Sequence, residues 1–445
     1  MSTRPRVSWS ELRTARVGLW GLGVEGAANL RRLRAMGNVP VLVDDDPVPG
    51  DLDGLEILAT GLGGREALEG CEVVVKTPGV SRYRPEVARL TERGIPVVGG
   101  LGLWMQEVDL NRVVCITGTK GKSTTAALTG HLLAGLGRRC LVAGNIGRPP
   151  YDPEVGGDVD YWVVETSSFQ ATDLASSPPV VAVTSLSPDH LDWHGDAETY
   201  YHDKLSACTQ PGALLTIADG DNELLGSRRG LLGPEVRWVG AHAPGLDGSW
   251  VDHLGLLGTH NRRNALIARA ILEALGIEEA ADEAALAGAA EGFEALDSRL
   301  RAIGTVGGVT FVDDSLSTNV LPTLAALEAF ADRRVSLLVG GFDRGIDYAP
   351  LAEALVARDA ATLVLTLPAS GRRIHQAINA ALAALPGSHL EVADCDDLGA
   401  ATEKGYRWAR PDGVVLLSPA APSFGQFTNY THRSAAFAEA MASCP

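Results

Sequence analysis

The sequence predicts an α/β protein of three consecutive units with mainly parallel sheets, and three stretches carry that expectation. In the first, Val17-Gly18-Leu19-Trp20 runs into Gly21-x-Gly23-x-x-Gly26 and a helical pattern. In the second, Val113-Val114-Cys115-Ile116 breaks into Thr117-Gly118-Thr119-Lys120-Gly121-Lys122-Ser123-Thr124-Thr125, again ahead of a helix. In the third, Val309 to Val312 leads into Asp313-Asp314-Ser315-Leu316-Ser317-Thr318-Asn319, and strand and helix patterns alternate to the end. Strand, small-residue loop and helix repeated in series mark parallel sheets, whose ligands gather outside the carboxyl ends of the strands. A chain of 445 residues has room for about three such domains.

Composition narrows the function. With 38 basic against 55 acidic residues the net charge is −17, and no Lys/Arg tract stands out, which argues against a nucleic-acid partner. No apolar run approaches membrane-spanning length, and the early residues Arg4, Arg6, Glu11 and Arg13 lack the apolar core of a signal peptide. The six cysteines, at 71, 115, 140, 208, 395 and 444, show no metal-ligand spacing. A reduced, cytoplasmic protein without membrane insertion is expected.

Taken in order, the first unit reads as a nucleotide-diphosphate site. Its glycines suit a tight turn and close approach to a pyrophosphate, and Val41-Leu42-Val43 ends in Asp44, placed to meet a ribose hydroxyl. A plain structural turn is the alternative. A further strand, Val73-Val74-Val75, opens into Thr77-Pro78-Gly79 at the same edge, and the unit ends near Gly99-Gly100.

The second unit opens on a phosphate-binding loop for ATP or GTP. Gly118 and Gly121 let backbone N–H groups turn inward, and the helix that follows aims its positive end at the same anion. Lys122 reaches the terminal phosphates and Ser123 offers a hydroxyl to Mg²⁺. Ile116 stands where the usual pattern has its first glycine, so the loop is a shortened variant. After Gly144-Asn145-Ile146-Gly147, the run Tyr161 to Val164 ends in Glu165, where a Mg²⁺ ligand or a helix cap belongs. Val180 to Thr184 leads to Asp189-His190-Leu191-Asp192, and His190 at a strand's carboxyl end reads as functional. Asn261 and Asn264 share one helical face and either address a base or ribose or cap the helix. In the third unit, Gly340-Gly341-Phe342-Asp343-Arg344-Gly345 and Ser418 to Phe424 gather Ser and Arg at strand ends, as a small anion such as an amino-acid carboxylate requires.

Together, Thr117 to Thr124, Gly144 to Gly147, Glu165 to Gln170, Asp189 to Asp192, His260-Asn261 to Asn264, Asp314-Ser315, Gly340-Gly341 with Arg344, and Ser418 to Phe427 resemble the Mur ligases, in order and spacing, over nearly the whole chain. Among them the glutamate-adding type is the most similar. The resemblance implies three consecutive Rossmann-like/P-loop α/β domains: a UDP-substrate domain at 1–108, a central ATPase domain at 109–296 and a glutamate domain at 297–445. It implies a monomeric ligase that uses ATP and Mg²⁺ to join glutamate to UDP-N-acetylmuramoyl-L-alanine through an acyl phosphate, in peptidoglycan precursor synthesis. Leu22, Val24, Glu25, Asp44, Thr77, Pro78 and Gly79 would line the UDP site. Gly118, Thr119, Lys120, Gly121, Lys122, Ser123 and Thr124 would hold ATP together with Asn261, Asn264, Arg299 and Asp314. Lys122, Glu165, His190 and Lys204 would be catalytic, and Ser123, Glu165, His190 and Lys204 would support metal, Lys204 as a carbamate. Asn145 would touch the UDP substrate beside the metals, while Thr318, Arg344, Ser423 and Tyr430 would take the glutamate. Hinges are implied near Leu101 to Arg112 and Gly292 to Ser298.

Two departures bear on the amino acid. Asp313-Asp314-Ser315-Leu316 stands where the family's D-glutamate enzymes commonly have Asn-Asp-Ser-Lys, and Ser298 replaces a common His before Arg299. A branch of the family adds L-glutamate and leaves epimerisation to another enzyme, so the altered pocket leans the expectation toward L-glutamate, with D-glutamate as the alternative. Related ligases that add glutamate to folates lack the first unit. A nucleotide switch needs no second metal site, and a dehydrogenase needs no phosphate loop.

Overall fold

The runs Val73–Lys76, Val113–Thr117, Val180–Val183, Val335–Val339 and Val414–Leu417 are buried at every position, the condition of a parallel strand covered by helices on both faces. The computed structural model describes residues 4–47, 51–52, 54–240, 249–384 and 389–445, and its strands form three six-stranded sheets. The first is ordered Asp51–Leu52, Leu55–Ala59, Val41–Asp44, Val17–Trp20, Val73–Lys76, Val97–Gly99, with only Asp51–Leu52 antiparallel. The second, parallel throughout, is ordered Glu235–Val239, Leu215–Asp219, Val180–Val183, Val113–Thr117, Tyr161–Glu165, Cys140–Gly144. The third runs Arg301–Val306, Val309–Asp313, Val414–Leu417, Val335–Val339, Thr362–Thr366, Leu390–Asp394, and its first pair is an antiparallel hairpin.

These orders decide which loops meet. Val17–Trp20 lies beside Val73–Lys76, so the loops from Gly21 and Thr77 open into one crevice where the strand order reverses. Val113–Thr117 lies between Val180–Val183 and Tyr161–Glu165, which brings together the loops beginning at Gly118, Thr184 and Thr166. In the third sheet Val414–Leu417 lies between Val309–Asp313 and Val335–Val339, so the loops from Asp314, Gly340 and Ser418 are neighbours.

By compactness the chain divides into Met1–His253 with Arg263–Glu291, which carries the first two sheets, and Leu254–Arg262 with Gly292–Pro445, which carries the third. One apolar core runs through both sheets of the first unit, from Leu19, Leu33 and Val75 to Val113, Cys115 and Val181. Leu101, Leu103 and Met105 belong to it, and Gly100–Trp104 is a short helix buried at every position. The stretch expected to hinge is therefore packed core at its start, because its apolar side chains occur on all sides. Polar ties reinforce the joint: buried Lys76 Nζ lies 2.5 Å from Asp173, and Arg4 donates to the carbonyls of Ala171 and Leu174. Among the described residues no helix is long and apolar enough to cross a membrane, and all six cysteines are free thiols.

Candidate active site

The phosphate loop takes the shape its glycines allow. Gly118 has φ +136° and Gly121, at the start of the helix Lys122–Gly135, has φ +85°. A Cβ at Gly118 would lie 2.3 Å from Thr184 Oγ1, and one at Gly121 would lie 2.7 Å from Asn264 Oδ1. The loop is thus a narrow cradle with Asn264 against it, as an anion held by backbone amides requires. Lys122 Nζ folds back to the Thr119 carbonyl at 3.1 Å, and Ser123 and Thr124 are buried in the first turn. Thr119 is turned away from the cradle: its hydroxyl bonds Ser187 and Tyr200 and ties the loop to the neighbouring strand end. Lys120 Nζ lies 3.4 Å from Asp189.

Beside this cradle the charged groups are deeply buried. Glu165 is 1% exposed; its Oε1 accepts from Asn145 Nδ2 at 2.6 Å, and its Oε2 is buried without a hydrogen-bond partner among the described residues. An unsatisfied buried carboxylate oxygen is destabilising, and a cation is the group that relieves it. Lys204 is 2% exposed and donates to the Gly118 carbonyl at 2.9 Å. Burial, with the Lys122 charge adding to it, pushes its ammonium well below the usual lysine range. His190 has φ +52° and a ring edge-on to Phe169; burial lowers its pKa, against the raising effect of Asp189. Among the described residues no three His, Cys, Asp or Glu side chains close on one metal position. A mixed set of carboxylate, hydroxyl and imidazole donors completed by water and phosphate oxygens suits Mg²⁺, which keeps part of its hydration.

In the first sheet the predicted residues line one cleft of about 400 Å³, formed by Gly21 to Glu25, Asp44, Asp45 and Thr77 to Val80. Asp44 turns inward: its carboxylate accepts from the Leu22 and Asp46 amides and shapes the glycine loop. Val24 is exposed. Glu25 is held from behind by Gln170 at 2.7 Å and Tyr151 at 3.1 Å, and burial raises its pKa to about 7.

At the third sheet Asp314 is a buried hub. It accepts from Leu300 N, Ser317 Oγ and Ser418 Oγ, and burial raises its pKa to about 7. Arg299 sits between Ser298 and Leu300, both in the left-handed region at φ +60° and +51°. Ser423 is buried, Thr318 is half-buried, Tyr430 is 42% exposed, and exposed Arg344 has no ion-pair partner among the described residues. Asn261 donates to the Leu257 carbonyl at 2.9 Å. Sequence reasoning missed Arg433, whose buried guanidinium donates to the Ala421 and Ser315 carbonyls and so clamps two of these loops. It also missed Ser168, His194 and Asp203; the four-residue step from His190 to His194 was the available signal.

Comparison with known proteins agrees over the same span. Residues 116–226 match the Mur ligase middle domain and residues 298–421 the Mur ligase, glutamate ligase domain. The chain is 42% identical to a UDP-N-acetylmuramoyl-L-alanine--L-glutamate ligase of Micromonospora sp., with 97% of each covered. It is 39% identical to the ligase of the same name from Salinispora tropica, covering 97% of this chain and 98% of that one. The MurF ligase of Thermotoga maritima, solved in complex with ADP, shares the fold at a TM-score of 0.53 and 15% identity, over 98% of this chain and 97% of its own.

Proposed function

The chain belongs to the Mur ligase family, and from that premise we propose that it joins L-glutamate to UDP-N-acetylmuramoyl-L-alanine in an ATP-dependent step of peptidoglycan precursor synthesis. The chemistry is carried by one observation: a buried Glu165 oxygen without a partner, beside a phosphate cradle and a buried lysine. The L isomer is supported by the two relatives, both named as L-glutamate ligases. The three sheets are read as UDP-substrate, ATPase and glutamate domains of a cytoplasmic monomer.

A carboxylate does not acylate an amine at neutral pH, because oxide would have to leave. Attack of the alanine carboxylate oxygen on the γ-phosphorus breaks the bond to ADP and gives an acyl phosphate. The glutamate nitrogen then attacks the acyl carbon, phosphate departs with its electron pair, and the nitrogen loses a proton. The protein's share is positioning and charge neutralisation. The amides from Gly118 to Ser123, with Lys122, bind the phosphates. Mg²⁺ would neutralise charge on the phosphoryl oxygens, one ion held by Ser123 and Glu165 and a second by Glu165 and His190. Asn145 orients the Glu165 carboxylate. Burial disfavours the charged form of Lys204; its deprotonated amine would add to carbon dioxide and, on losing a proton, become a carbamate anion suited to a second metal. Arg344 offers a forked donor to the glutamate side-chain carboxylate, beside Thr318, Ser423 and Tyr430.

Phosphate release from ATP and Mg²⁺ with UDP-N-acetylmuramoyl-L-alanine tests this, with L- and D-glutamate run in parallel. Release with L-glutamate alone is expected. Release with D-glutamate alone overturns the choice of isomer, and release with neither overturns the ligase reading.

A further inference from the structure

Four polar side chains outside the groups just assigned meet in one chain of contacts. His194 is buried, with Nδ1 2.6 Å from Asp203 Oδ2 and Nε2 3.0 Å from Ser168 Oγ. The Tyr83 hydroxyl lies 2.8 Å from both oxygens of Asp203. The order Ser, His, Asp is that of a hydrolytic triad, but Ser168 is only 2% exposed and has no route to a substrate.

The places where these residues attach explain them better. Ser168 follows Glu165 by three residues, His194 follows His190 by four, and Asp203 immediately precedes Lys204. Each of these three thus lies within four residues, along the chain, of one of the groups gathered at the phosphate cradle. Tyr83 comes from the other sheet, four residues beyond Gly79 at the wall of the diphosphate cleft. Its ring packs edge-on to Trp193 at 5.9 Å, and Trp193 in turn lies 4.6 Å from Phe169 and 4.4 Å from His194. Burial and the Asp203 contact both push the Tyr83 phenol up, so it remains a hydrogen-bond donor. Phe169 also packs edge-on to His190, so anchoring these neighbours holds the short backbone segments and the ring against which Glu165, His190 and Lys204 are set, much as outer partners fix a ligand's orientation.

We propose that the Tyr83–Asp203–His194–Ser168 chain sets Lys204, Glu165 and His190 in register with one another and with the diphosphate cleft, which makes Tyr83 a positioning residue for phosphoryl transfer. This rests on the ligase reading above. It gives the substrate-binding sheet a hydroxyl that acts on the chemistry of the other sheet without touching the reacting atoms.

Tyr83→Phe removes the hydroxyl and keeps the ring on Trp193. The variant is expected to lose about tenfold in kcat and about fivefold in Mn²⁺ affinity, measured by calorimetry with a non-hydrolysable ATP analogue. KM for the UDP substrate and Tm should stay as in the wild type. His194→Asn keeps a donor toward Asp203 and should retain more activity than His194→Phe. Unchanged kcat and Mn²⁺ affinity in Tyr83→Phe overturn the proposal, as does a loss of kcat matched by a loss of Tm, or equal loss in the two His194 variants. A wild type inactive with both co-substrates would sink the ligase reading instead, and the Mn²⁺ titration would still decide this one.

Discussion

The carboxyl edges of the central and third sheets are built in opposite ways. At the central edge the charged groups are the buried ones: Glu165 and Lys204 are nearly inaccessible, and among the described residues the side chain of each makes one hydrogen bond. At the third edge Arg344 is exposed, as are the rings of Phe342, Phe424 and Tyr430, while buried Asp313, Asp314 and Arg433 hold the loops. An edge that must stabilise developing charge benefits from fixed groups in a dry site. On the proposed reading, an edge that admits and releases an amino acid would keep its cation hydrated above a rigid frame.

The largest test of that contrast is Glu165→Gln, which removes the charge and keeps the shape. Activity should fall by about 10³-fold with Tm unchanged or raised, read from phosphate release and thermal melting. A loss below tenfold would break the contrast, because the chemistry would then lie elsewhere. Arg344→Met comes next. KM for glutamate should rise about 10²-fold with little change in kcat or Tm, as expected for losing a charge-assisted pair at an exposed site. A lower Tm would mean that Arg344 is frame rather than ligand contact.

The smallest effect sharpens the frame itself. Burial raises Asp314 to about 7 from 3.8, so the folded protein keeps a proton that the unfolded chain releases. Its contribution to stability is complete below pH 4, is lost as pH rises through 7, and is level above that. Glu25, at about 7, and Asp219, at about 6, act in the same direction in the first unit. Asp314→Asn should therefore flatten, not abolish, the fall of Tm between pH 4 and 7. A slope identical to the wild type would show Asp314 ionised in the folded state.

What could be read from the sequence was local. Gly118 and Gly121 were readable because their left-handed backbone is demanded by the turn itself, a requirement that no distant residue alters. The strands Glu235–Val239 and Arg301–Val306 were not, because half-exposed edge strands carry Glu235, Arg237 and Arg301 and lack a β-branched run. Lys204 lies in Ala-Glu-Thr-Tyr-Tyr-His-Asp-Lys-Leu, the composition of a surface helix. It is buried through long-range packing that includes Gly118, 86 residues earlier, and resemblance rather than pattern singled it out. Arg433 was hidden for the same reason, since one of its carbonyl partners is 118 residues away. The contact between His194 and Asp203 joins two separate short helices, which no single periodicity can report.

The setting of Arg299 bears on attempts to make such a protein hardier. Ser298 and Leu300 hold a backbone shape that glycine adopts freely and that costs other residues about 1–2 kcal/mol each. Laboratory selection for heat resistance alone would favour glycine at Ser298, where a small side chain leaves little packing to lose. The same change would let the Arg299 guanidinium wander, so, if Arg299 addresses the nucleotide as proposed, a hardier lineage would lose precision there.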